Sequence, residues 1–362
     1  MKMRSSMFFL LASAILCSFA VPTFSQESAT SAEGGEKANN KTSKGSTPLK
    51  LVGKYEFPSD IKTRFDHVLV ELNSHRIFTT PQATKAVTVF DLKTRKLIHT
   101  ISGIEIPHHM LYREDLNRLY VTDGGGGGAL QIFDGKTYDL IKSVKLLPDT
   151  DASVYDPATK YLYIVNGGDD AHLPYSNVSV VDTTSGDKVG EIRIDSPGLD
   201  AMAIDTSNAK LYVTNTEHNK IEVVDRNTRS IIASWPITLG HHNNAIALDQ
   251  AHHRLFVGCR TGQIVVFDTE TGKELQALPI NQGIDDLAFD PQSKRLYAAC
   301  PAGKGSIDVY READPDHYES LGQTESGPGA RTGELESKLK RYFVAVPQHE
   351  STNAAILEFK VQ

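Results

Sequence analysis

The chain repeats one phrase seven times, and that periodicity narrows the possible folds more than any other feature. It reads "RIFTT" at 76, "RLYVT" at 118, "YLYIV" at 161, "KLYVT" at 210, "RLFVG" at 254, "RLYAA" at 295 and "RYFVA" at 341. Counted between the aromatic anchors Phe78, Tyr120, Tyr163, Tyr212, Phe256, Tyr297 and Phe343, the steps are 42, 43, 49, 44, 41 and 46 residues. A second column, from "AVTVFD" ending at 91 to "AILEFK" ending at 360, keeps the same register. Each repeat parses into four short β-branched and aromatic runs between turn residues, as in "DAMAID", "AKLYVTN", "NKIEVVD" and "SIIASWPI" from Asp200 to Ile237. Repeats of this length and pattern predict an all-β, seven-bladed β-propeller with four antiparallel strands per blade. No stretch sustains a helical period, so helices are incidental.

The ends predict how the ring closes. The seventh repeat stops after its third strand, "AILEFKVQ", while an orphan strand, "LKLVGKYEFP" at 49–58, precedes the first. If the orphan completes the last blade, no sheet edge stays open. Residues 49–362 are therefore expected to form one cooperative domain. Ahead of it, Lys2 and Arg4 precede the apolar run Met7 to Val21, so residues 1–25 read as a secretory signal peptide. Residues 26–48 have no aromatic or branched aliphatic residue and read as a disordered linker. The implied compartment is periplasmic or extracellular, and the mature chain is expected to carry no membrane span and to be monomeric.

Removing the signal peptide takes the formal net charge from -7 to about -9, which disfavours nucleic acid as a partner. Cys259 and Cys300 fall at equivalent places in neighbouring blades, where a separation of ~10 Å between packed sheets predicts free thiols. Six repeats carry an acidic residue seven before the anchor (Glu71, Asp156, Asp205, Asp249, Asp290, Glu336), and six carry a basic residue two before it. These bracket a tight turn and read as turn chemistry and surface charge pairs.

"LYVTN" at 211–215, "LYVTD" at 119–123 and runs such as "KIEVVD" give the chain a resemblance to the YVTN family of seven-bladed β-propellers, exported bacterial and archaeal proteins. The resemblance covers 49–362 and implies a fold and a compartment, not a chemistry.

Chemistry gathers at one position. Twelve residues before each anchor stand Asp66, His108, Asp151, Asp200, Asn244, Asp285 and Arg331, one per blade, each where the innermost strand begins. In a propeller those starts crowd around the mouth of the central channel. His67, His109, Asp286, His241 and His242 lie close by in sequence, and the loops between second and third strands belong to the same face. Asp and Asn also form turns, so the carboxylates alone fit a purely structural role. Paired histidines in two non-adjacent blades fit a divalent metal ion or a polar ligand better, with His108, His109 and His242 as candidate metal ligands. The run "GGGGG" at 124–128 lacks the Lys-Ser/Thr and helix of a phosphate loop and reads as a flexible tip. With no nucleophile elbow and no cofactor motif, the leading expectation is a binding module for a small polar ligand, a metal ion or a partner protein at the mouth. The alternative is a metal-assisted hydrolase or lactonase at the same mouth, with Asp66 or Asp285 beside the histidines.

Overall fold

The computed structural model describes residues 47–362. The signal peptide and nearly all of the linker read from the sequence lie outside the described residues. Seven four-stranded antiparallel sheets follow one another around a ring, six of them ordered from inner to outer strand along the chain. The seventh is closed as expected: Leu49–Glu56 pairs antiparallel with Ala355–Val361, from Leu49 opposite Val361 to Glu56 opposite Ala355. The only helical pieces among the described residues are single 3-10 turns at Gln82–Thr84 and Asp169–Ala171.

The repeated phrase is the second strand of each blade, and its aromatic is the plug between blades. Phe78 packs with Met110, Leu119 and Val121 of the next blade. Tyr163 packs with Met202, Leu211 and Val213, and Phe256 with Leu287, Leu296 and Ala298. Phe343 completes the circle against Val68 and Ile77 of the first blade. All seven anchors are buried. Removing one such ring from water is worth about 1.5–3 kcal/mol, so a single aromatic per repeat can set the blade-to-blade register. Outer strands such as Leu97–Ser102 are mostly exposed and add little core.

The turns of the face away from the mouth follow the sequence reading in one respect and depart from it in another. All six acidic residues accept a hydrogen bond from the backbone N–H two residues on, which is turn chemistry. They are not surface charge pairs. Five of the six are buried, and only Glu71 meets the basic residue of its own repeat, at 3.2 Å from Arg76. The adjacent blade covers these turns, which takes the carboxylates out of solvent. Cys259 and Cys300 are buried free thiols.

Candidate functional site

Each innermost strand begins at the same end of the ring, and the chain delivers its polar residues there. All seven positions twelve before the anchors line one cavity of about 320 Å³: Asp66, His108, Asp151, Asp200, Asn244, Asp285 and Arg331. A register shift early in several inner strands, such as that between Pro107 and Met110, brings the following residues in as well. His67, His109 and Asp286 line the same space. Loops add Asp149, Gln82, Asp170 and Arg260, while Arg64 precedes the first inner strand.

His108 is the centre of one side. Its Nδ1 lies 2.5 Å from Asp66 Oδ2 and 3.2 Å from Asp151 Oδ1. Burial pulls the imidazole pKa down, but Asp151 and then Asp66 outweigh it and raise it to about 9. The rise from the ordinary 6.5 favours the charged ring by about 3 kcal/mol. Burial pushes Asp66 up in turn, and the hydrogen bond from His108, with His67 and the His108 charge close by, brings it down to about 2. The glycine run is packed at its two ends, although Gly126 and Gly127 between them are exposed. A Cβ on Gly124 would stand 2.8 Å from His108 Nε2, and one on Gly128, held at φ +75°, would strike the Leu147 carbonyl.

His109 is its opposite. Burial, reinforced by His67, takes it down to about 3, so it is neutral where a crowded acidic mouth would be expected to hold it protonated. Its ring meets His67 edge-on at 4.5 Å and its Nδ1 lies 2.7 Å from Ser153 Oγ. The expected three-histidine metal set does not assemble. His241 and His242 are exposed and are not among the residues lining the cavity. They precede the ring position by three and two residues, His242 takes a left-handed φ of +55°, and His241 turns towards Asn219. In place of that set, Asp66, His108 and Asp151 offer ligand atoms within 4.8 Å of one another.

Two arginines gather around Asp285, and they are engaged. Arg260 and Arg331 both bind Asp285, which also accepts a hydrogen bond from Asn244 at 3.0 Å. Arg64 donates to Gln82 Oε1 at 2.7 Å. Seven aspartates therefore face two guanidinium groups committed to Asp285, a third held by the neutral Gln82, and one imidazolium. Among the described residues, the side chains of Asp149, Asp170 and Asp200 have no hydrogen-bond or ion-pair partner. Burial, with Asp151 and Asp285 alongside, holds Asp200 well above the usual carboxylate range. Burial and Asp151 raise Asp149 to about 6, and burial raises Asp286 to about 6. Three of the carboxyls in this cavity are thus short of positive charge.

No protein-family model matches the chain, and no curated protein matches its sequence. Solved structures do match. A chain of the hydrazine synthase of Kuenenia stuttgartiensis superposes with a TM-score of 0.69 at 16% identity, over 84% of this chain and 98% of that one. A chain of a mitotic checkpoint complex superposes at 0.68 with 12% identity, over 95% and 99%. At such identities the likeness is one of fold alone. That likeness agrees with the seven-bladed propeller seen in the sheet order, whereas the YVTN resemblance rests on the strand motifs only.

Proposed function

We propose that the chain is an exported, non-catalytic binding module that captures a small organic cation, an amine or a guanidine, at the channel mouth. The observation that carries this reading is the surplus of carboxylate in one cavity at the mouth, with Asp200 unpartnered at its wall. A buried carboxyl with a raised pKa is stabilised most by a cation brought to it, because the ligand's charge offsets the repulsion that raised it. The volume of about 320 Å³ lies at the lower end of small-molecule pockets. Export follows from the N-terminal signal in the sequence. Calorimetric titration of the mature protein with agmatine and putrescine, with citrate as the anionic control, tests the sign. Heat with the amines that disappears in Asp200→Asn supports the reading; binding of citrate alone refutes it.

A second reading has one observation behind it, the Asp66, His108 and Asp151 ligand atoms within 4.8 Å. A divalent ion there would serve a metal-assisted hydrolase, provided that it displaced the proton His108 holds. The Ser153–His109 contact does not strengthen that reading, since a base held at about 3 is far from the neutral pKa that general-base catalysis favours. Manganese titration under the same conditions separates the two.

A further inference from the structure

The face opposite the mouth contains a repeated slot between adjacent blades. In every blade the residue just after the third strand's partner to the start of the second strand donates its N–H to the carbonyl preceding that second strand. These residues are Leu92, Gly135, Thr183, Arg226, Thr269, Glu312 and Val361. Three of them have side chains that meet the turn residue of the blade before, seven ahead of its anchor, and the chemistry differs among the three. Thr183 accepts from Arg113, and Arg226 makes an ion pair with Asp156. Between the fifth and sixth blades the slot instead holds two acids, Asp249 and Glu312, with His252 of the turn between them.

That junction is left unfinished. His252 Nδ1 lies 2.5 Å from Asp249 Oδ2 and 3.3 Å from Glu312 Oε1, and one nitrogen carries only one proton to share. Glu312 is 2% exposed, yet neither of its buried carboxylate oxygens has a well-aligned hydrogen-bond donor: the nearest, His252 Nδ1, is shared with Asp249, which is itself an acid pressed against Glu312. A buried carboxylate in that state costs several kcal/mol unless a positive charge is supplied. Among the described residues no lysine or arginine forms an ion pair with it. The three side chains present one nitrogen and carboxylate oxygens within 4.8 Å of each other, and His252 keeps a third of its side chain in solvent as a way in.

We propose that Asp249, His252 and Glu312 bind a divalent transition metal ion of the zinc class, which staples the fifth blade to the sixth. Imidazole with two carboxylates is a donor set that such ions accept, and the solvent-facing side leaves room for water as a fourth ligand. Metal bonds of about 2.0–2.2 Å put tetrahedral ligand atoms about 3.4 Å apart, close to the His252–Glu312 separation. The shorter Asp249–His252 contact opens by about 1 Å when the ion replaces the Nδ1 proton, which leaves to solvent.

The test is metal content and melting of the mature protein, purified without an affinity tag, dialysed against zinc and compared with a chelated sample. The parent is expected to retain one zinc per chain from this site and to melt several degrees higher with it. Glu312→Gln should lose that zinc and its thermal shift, yet melt no lower than the parent when both are metal-free, because the substitution removes a buried like charge. His252→Gln should lose the zinc as well. Asp66→Asn, at the mouth, should keep it, which separates the two candidate clusters. Retention of the same zinc by Glu312→Gln, or no uptake by the parent, would overturn the proposal, and so would a metal-free Glu312→Gln that melts lower.

Discussion

The mouth and the opposite face are built from the same repeat, and they treat acidic residues in opposite ways. On the far face the recurring acids are caps, each satisfied by the backbone of its own turn. At the third junction the buried Asp156 is also given an arginine from the next blade. At the mouth the recurring position changes from blade to blade, and Asp149, Asp170 and Asp200 are left without partners. In a repeat protein, sameness with satisfaction is scaffold, and variation with dissatisfaction marks a site.

The comparison can be broken first where the effect is largest. Arg226→Ala leaves the Asp156 carboxylate, 0% exposed, without its guanidinium, and should lower stability by about 3–5 kcal/mol in denaturant unfolding. A mouth acid should do the reverse. Asp149 has its folded pKa raised from 3.8 to about 6, so the folded state binds the extra proton and stability falls as pH rises through about 6. Asp149→Asn should therefore gain ~1–3 kcal/mol at pH 7 and nothing below pH 3.8. If both variants destabilise alike, the two faces are not different in kind.

His108 sharpens the contrast within the mouth itself. A histidine raised to about 9 contributes stability that is complete below pH 6.5 and lost as pH rises through about 9. In Asp66→Asn the imidazole should titrate at least one unit lower by NMR, and the loss of stability between pH 6.5 and 9 should shrink. An unchanged titration would place its proton with Asp151 alone. The smallest effect belongs to Arg118, whose one far-face hydrogen bond is to the Thr184 carbonyl. Arg118→Ala should stay within about 0.5 kcal/mol of the parent. Arg254, equivalent in register, differs, for it bridges Asp268 and Asp316.

The ring and its closure were legible because both follow from counting: seven anchors, and one strand missing at one end and spare at the other. The ring of mouth positions was legible for the same reason, since register alone puts one residue of each blade there, whatever its type. Loop residues escaped this logic. His241 and His242 stand three and two residues upstream of Asn244, where a left-handed residue turns the chain away from the cavity. Asp149, Asp170 and Arg260 reach the cavity from loops whose paths the repeat does not set. The loops holding Asp170 and Arg260 join second to third strands and so belong to the mouth face by strand alternation, which makes their charges the available signal. The Asp156–Arg226 pair spans 70 residues and two blades, and only the packing of one sheet on the next brings it together.

The central claim is that the mouth binds a cation through carboxylates that lack one. It is tested most directly by the affinity of the mature protein for agmatine at pH 5 and pH 7.5. A cation favours the ionised carboxyls, so affinity should be lost as pH falls through the values of about 6 at Asp149 and Asp286, with protons released on binding at pH 5. A fall of tenfold or more from pH 7.5 to pH 5 is the predicted result. Equal affinity at both pH values, or tighter binding at pH 5, would contradict it.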